Sequence, residues 1–245
     1  MPIQPLSGKS VLVTGGARRI GRGIAIALGL AGANVAITFR TSQVQAAETA
    51  GEIEALGARA IAVYCDVRSE VSVRQAIAVT IAEFGGLDVV VNNAAVFGSV
   101  PLETMSLDQW DTIFETNARG PFLVAREALG HLRAVQGRLV NIGSLGGFHA
   151  WTGHAHYCAS KAALHMLTQA MAKAFAPQVS VNCVAPGWIE FAGSPEDDAR
   201  RFAARTPMQR NGTAEDVAQA VLFFATCPSF ITGQILTVDG GLGLS

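Results

Sequence analysis

Charge is what this sequence has least of. Only 15% of its 245 residues are charged, against about 25% in an ordinary soluble chain. Eighteen Lys and Arg stand against 19 Asp and Glu, a formal net charge of −1. That balance excludes the broad basic surface a nucleic-acid binder needs. Half the residues are apolar, which excludes a disordered chain. The four cysteines, Cys65, Cys158, Cys183 and Cys227, lie far apart with no C-x-x-C or Cys/His spacing. They read as reduced, buried thiols of a cytoplasmic protein, with no metal site expected. The N-terminal MPIQPLSGKS lacks a charged-then-apolar leader. No uncharged apolar run approaches the ~18 residues of a membrane span. The high hydropathy is therefore expected in a core and in contacts between subunits, with neither membrane nor nucleic acid as partner.

Short β-branched runs alternate with helical stretches. Strands are expected at Ser10–Thr14, Asn34–Arg40, Ala58–Cys65, Leu87–Val91, Arg138–Ile142, Val179–Val184 and Gln234–Asp239. Helices are expected at Ile20–Ala31, Gln43–Leu56, Glu70–Phe84, Ser106–Val135 with a bend near Gly120–Pro121, His156–Phe175 and Thr213–Thr226. Continuous apolar strands separated by helices predict an α/β fold, a doubly wound parallel sheet of about seven strands covered on both faces. The order of such a sheet reverses once and opens a crevice at the strand C-termini. Neither repeat nor linker interrupts residues 1–245, so one Rossmann-type domain is expected. Residues 188–213 read as irregular and as a lid over the crevice.

Three groups of residues carry chemistry. The first is Thr14-Gly15-Gly16-Ala17-Arg18-Arg19-Ile20-Gly21, between the first strand and the first helix. A glycine turn there lets backbone approach a pyrophosphate at a helix N-terminus. The second is the end of strand two, which reads Phe39-Arg40-Thr41-Ser42 and holds no acid. An NAD site places Asp or Glu there for the ribose 2′-hydroxyl. Arg40, with Arg18 near the same corner, instead suits the 2′-phosphate of NADP(H). The third is Ser144 with Tyr157-x-x-x-Lys161. On a helix the i and i+4 side chains are neighbours, so an ammonium beside Tyr157 is expected to lower the phenol pKa and make it a usable proton donor or acceptor. The chain has two tyrosines and three lysines, so chance supplies a Tyr-x-x-x-Lys pair only about 2% of the time.

Together these residues resemble the short-chain dehydrogenase/reductase family over nearly the whole chain. Asp66-Val67 is similar to its adenine-contacting pair, and Asn92-Asn93-Ala94-Ala95 to its Asn-Asn-Ala-Gly motif. Asn117 matches its proton-relay Asn, Pro186-Gly187 its nicotinamide-side loop, and Val238-Asp239-Gly240-Gly241 its last strand. The resemblance implies catalysis by Asn117, Ser144, Tyr157 and Lys161. It implies cofactor contacts from Gly15, Arg18, Arg19, Ile20, Gly21, Arg40, Ser42, Asp66, Val67, Asn93, Ala94, Tyr157, Lys161, Pro186, Gly187 and Ile189. The activity implied is NADP(H)-dependent hydride transfer to a small carbonyl compound, as in a 3-oxoacyl-thioester reductase, and the assembly implied is a homotetramer. Apolar Phe122, Leu123, Met166 and Leu167 on the sheet-covering helices fit such contacts. Arg19 in place of the loop's middle glycine resembles pteridine reductases, whereas Ser144 stands where those usually carry Asp. A pteridine reductase and a catalytically silent NADP-binding regulator remain the alternatives. His154 and His156 lie too close in sequence to share a helix face, and read as a polar helix end. Phe97, Phe148, Trp151, Trp188 and Phe191 come from loops expected to rim the crevice, as substrate walls or as lid packing.

Overall fold

The computed structural model describes residues 4–244. The β-branched runs form β1 (Ser10–Val13), β2 (Asn34–Phe39), β3 (Ala60–Tyr64), β4 (Val89–Asn92), β5 (Arg138–Ile142), β6 (Ser180–Pro186) and β7 (Ile235–Val238). They make one sheet in the order β3-β2-β1-β4-β5-β6-β7, every neighbouring pair parallel. The helices are α1 (Arg19–Leu30), α2 (Gln43–Ala55), α3 (Glu70–Phe84), α4 (Leu107–Phe114), α5 (Gly120–Ala134), α6 (Ala155–Phe175), α7 (Glu196–Arg205) and α8 (Ala214–Thr226).

Strand side chains alternate between two apolar layers. Val11 and Val13 pack with Ile24, Leu28, Val217 and Val221 of α1 and α8. Leu12, between them in sequence, packs with Val124, Ala128 and Leu132 of α5. β1 and β4 are buried throughout, and burial on both faces explains why Val11–Val13 and Val89–Val91 are continuous apolar runs rather than alternating. The chain leaves β1 toward β2 on one side and places β4 on the other, so the sheet order reverses between β1 and β4. The crevice lies at the C-terminal ends of these two strands.

The long helical stretch expected over 106–135 is interrupted where Gly120–Pro121 suggested. A π-turn over Glu115–Arg119 separates α4 from α5, and Pro121 enters the first turn of α5. Proline has no N–H to give the carbonyl four residues back. The Asn117 carbonyl therefore cannot close an ordinary α-helical bond.

Two expectations change. Residues 188–213 are not irregular throughout, because they contain α7. Glu196, Asp197 and Asp198 occupy its first turn and Arg205 its last, the arrangement a helix dipole favours. Its apolar side is short, Ala199, Phe202 and Ala203 at helical spacing with none fully buried, and that stripe and the acidic start were the signals missed. Leu123 turns into the core, 8% exposed, while Phe122 and Met166 of the same group remain at 41% and 65%. Phe230 before β7 and Leu244 after it are both almost fully exposed.

Candidate active site

The crevice floor is built by the turn after β1 and the segment after β4. The N–H groups of Asn93 and Ala94 both donate to Thr14 Oγ1 at 3.0 Å. The Asn93 amide donates to the carbonyls of Thr14 and Gly15 at 2.9 and 3.0 Å. Thr38 of β2 holds the turn from the other side, accepting from Gly15 N–H at 3.2 Å. Gly21 has no room for a side chain, since a Cβ would lie 2.2 Å from the Gly15 carbonyl. Arg19 adopts a left-handed backbone, φ 53, where glycine is the cheaper residue. Its guanidinium lies 5.6 Å from the Phe191 ring centroid.

The N-terminus of α1 has neither a side-chain cap nor an acid in its first turn. Its unpaired N–H groups and positive dipole end are thus free to meet an anion. The tight glycine turn and the uncapped helix fit a dinucleotide pyrophosphate. Arg18 and Arg40 are exposed, and Ser42 caps α2 without a side-chain bond. The Asp66 carboxylate is already held on both oxygens by Arg68, at 3.0 and 2.6 Å. That guanidinium, more than the neighbouring Arg40 charge, holds its pKa below the usual carboxylate range. Val67 packs against Gly120.

Ser144, Tyr157 and Lys161 meet at the end of β5. Ser144 leaves the strand and accepts from Gly146 N–H at 3.1 Å. Tyr157 and Lys161 lie one turn apart on α6, the Lys161 Nζ 5.8 Å from the Tyr157 ring centroid. The expected lowering of the phenol pKa does not occur here. Burial raises it, opposed by a hydrogen bond from Ser144. The ammonium is turned away, donating to the Ile142 carbonyl at 2.8 Å, and lies over the ring rather than against the oxygen. Lys161 itself is buried, which brings its pKa down to about 8.

Asn117 is 1% exposed. Its amide brackets Val96, accepting from N–H and donating to C=O, both at 2.9 Å. The second amide proton goes to Ser160 Oγ at 3.1 Å. Both donors are taken, so a water at this residue would have to use the main-chain carbonyl that Pro121 leaves without an α-helical partner.

Of the five loop aromatics, Phe97 and Trp151 border Tyr157. Phe97 meets the phenol ring edge-on at 4.8 Å and stacks on His154 at 4.7 Å. Trp151 lies nearly parallel to the phenol at 6.2 Å. Trp188 stacks on Phe202 of α7 at 4.2 Å, and Asn211 bonds Glu190 and Ala199 within the same 188–213 segment. Pro186 ends β6, Gly187 packs against Asp239, and Ile189 bridges to Gly212. His154 caps α6 and bonds Gly98 C=O at 2.8 Å, while His156 is buried. The residues not anticipated from sequence are Thr38, Ser160 and His165. His165 lies one further turn along the Tyr157–Lys161 face, so the same i+4 spacing points to it.

A family profile described as Enoyl-(Acyl carrier protein) reductase matches residues 15–243. The chain is 37% identical over 242 residues to a 3-oxoacyl-[acyl-carrier-protein] reductase of Synechocystis, covering 97% of this chain and 98% of that one. It is 37% identical over 248 residues to a short-chain dehydrogenase/reductase of Hericium erinaceus, covering 96% and 98%. A crystal structure of a dehydrogenase/reductase from Sinorhizobium meliloti superposes with a TM-score of 0.92 at 37% identity, covering 98% of this chain and 97% of that one. By this match over nearly its whole length, the chain belongs to the short-chain dehydrogenase/reductase family of oxidoreductases.

Proposed function

We propose that the protein is an NADP(H)-dependent ketoreductase acting on a small carbonyl compound of the 3-oxoacyl-thioester type. The observation that carries this reading is that Ser144 and Lys161 converge on Tyr157 at the end of β5, the Lys161 ammonium 5.8 Å from the phenol ring centroid. The kinship to the Synechocystis reductase supports the substrate class.

Gly15 and the run Arg18, Arg19, Ile20 and Gly21 would hold the pyrophosphate. Arg40, Arg18 and Ser42 would hold the 2′-phosphate, and Asp66 with Val67 would border the adenine. With Asp66 paired to Arg68, its charge is offset at this corner. Asn93, Ala94, Pro186, Gly187 and Ile189 would border the nicotinamide, and Lys161 would hold its ribose. The bound cofactor supplies a hydride to the carbonyl carbon. Burial keeps Tyr157 protonated near neutral pH, so its phenol gives a proton to the carbonyl oxygen as that oxygen gains charge. The Ser144 hydroxyl donates to the same oxygen and steadies the charge. The phenolate left behind is stabilised by the Lys161 ammonium. Asn117 fixes Val96 and Ser160 through its amide and would offer its carbonyl to a water leading toward Lys161.

A pteridine is the second substrate reading, favoured by the Arg19 guanidinium over Phe191 and by the aromatic wall of Phe97 and Trp151. NADPH oxidation measured with acetoacetyl thioester, a diketone and a dihydropteridine separates the two. The ketoreductase reading expects turnover of the first two, and turnover of the dihydropteridine alone overturns it. A silent regulator would turn over none.

The chain is further proposed to work as a cytoplasmic homotetramer. No described helix is long and apolar enough to cross a membrane. An apolar groove between α5 and α6, lined by Phe122, Leu129 and Leu167, suits a self-complementary two-fold contact of the kind from which dihedral assemblies are built. Light scattering at micromolar concentration should give about four times the chain mass, and a monomer would rule the assembly out.

Tyr157→Phe should lower kcat by at least about 100-fold while leaving the NADPH dissociation constant within about twofold, because only the hydroxyl is lost. Retention of more than a few per cent of activity would refute the proton-donor role. Unmodified protein should bind NADPH more tightly than NADH, and Arg40→Asp should reverse the order, since a carboxylate repels the 2′-phosphate and accepts from the 2′-hydroxyl. Titration of both cofactors by fluorescence checks this, and tighter NADH binding by the unmodified protein contradicts it.

A further inference from the structure

Among the buried polar groups that this mechanism leaves unused, His165 has the most direct hold on the site. It lies on α6, eight residues after Tyr157 and four after Lys161, so Tyr157, Lys161 and His165 form one stripe. The turn that follows β5 is folded around its ring. A Cβ on Gly143 would lie 2.3 Å from His165 Nε2, and one on Gly147 would lie 2.4 Å from Cε1. Only glycines on both sides of Ser144 let the backbone pass this close. Ser144 N–H donates to His165 Nε2 at 3.4 Å, a long bond inside a buried pocket. Phe148 closes the outer side, its ring 4.5 Å away.

α6 thus grips the end of β5 at alternate residues. Lys161 takes the Ile142 carbonyl, and His165 takes the Ser144 N–H. Between those grips Ser144 Oγ is committed inside its own turn to Gly146 N–H, so the hydroxyl has little freedom once the backbone is placed.

We propose that His165 is a positioning residue that sets Ser144 against the Tyr157 phenol. It makes no contact with substrate in this account and acts only through the Ser144 turn. Its ring must stay neutral for Nε2 to accept. Burial, helped by the nearby Lys161 charge, brings its pKa down to about 4. The other titratable group beside Gly143 is the Cys183 thiol on β6, which burial pushes up to about 12 and keeps uncharged. Nδ1 finds no partner among the described residues. A buried orphan of that kind costs stability, which a plain apolar residue in its place would avoid.

The proposal rests on Ser144 and Tyr157 as the reacting pair, and a double-mutant cycle separates the two claims. His165→Leu fills the space without an acceptor and should lower kcat by about 10-fold or more, since small misplacements near the chemistry cost up to about 100-fold. The KM for NADPH should stay within about twofold. His165→Gln keeps an acceptor within reach and should recover most of the loss. In a Ser144→Ala background, His165→Leu should cost less than about twofold, because the group it positions is gone. The same factor in both backgrounds, no loss from His165→Leu, or no recovery by Gln would overturn the proposal. Should His165→Leu fail to fold, the cycle is run with His165→Ala and judged by the same factors. Full activity in Ser144→Ala alone would instead remove Ser144 from the mechanism.

Discussion

An ammonium buried without a carboxylate partner is the constraint around which this site is arranged. Lys161 is 3% exposed, and its one described hydrogen bond goes to the Ile142 carbonyl. Moving a cation out of water is costly, and a neutral carbonyl repays only part of it. The cost is visible as a pKa of about 8. It also spreads to the neighbours, since the same charge helps keep His165 neutral. A fold under selection for stability alone would do better with an apolar side chain there. The buried charge makes sense where an electron-rich ribose or a developing phenolate calls for it.

The sheet supplies what the ammonium needs. The ends of β4 and β5 stop side by side, and their loops diverge over the helices that carry Asn117 and Tyr157. Asn92 of β4 donates to Asn141 of β5 at 2.9 Å, and Asn141 donates to Thr168 of α6 at 2.8 Å. This buried chain fixes α6 against the strands one turn beyond His165. Rigid elements hold a reacting set more tightly than loops can. Residues 188–213, by contrast, are held together largely among themselves, by the Trp188–Phe202 stack and the Asn211 bonds to Glu190 and Ala199.

Much of this was legible in the sequence, for identifiable reasons. The parallel sheet followed from apolar runs that had to be buried on both faces. The Tyr157–Lys161 pairing followed from helical spacing, and the break before α5 from Gly120–Pro121. What escaped was set by tertiary contact. Of its apolar residues α7 half-buries only Ala199, Phe202 and Ala203, a stripe too short to stand out among its charges. The phenol pKa was expected to fall because spacing alone put the ammonium beside Tyr157, whereas β5 presents a carbonyl that draws Nζ away. Asp66 read as open to a cofactor, yet Arg68 two residues later closes it. Thr38 and Asn93 hold the glycine turn through bonds that link distant parts of the chain, which no local pattern encodes.

The protonation state of Lys161 is the most direct test of this site. The chain has only three lysines, so 13C labelling at Cε gives a simple NMR spectrum, and the Lys161 signal is identified by its absence in Lys161→Gln. Followed against pH in the protein without cofactor, that signal should titrate with a pKa of about 8. It should move again when NADPH binds. A Lys161 signal that stays fully protonated to pH ~10, the range of a solvated lysine, would contradict a buried, carboxylate-free ammonium at the centre of the site.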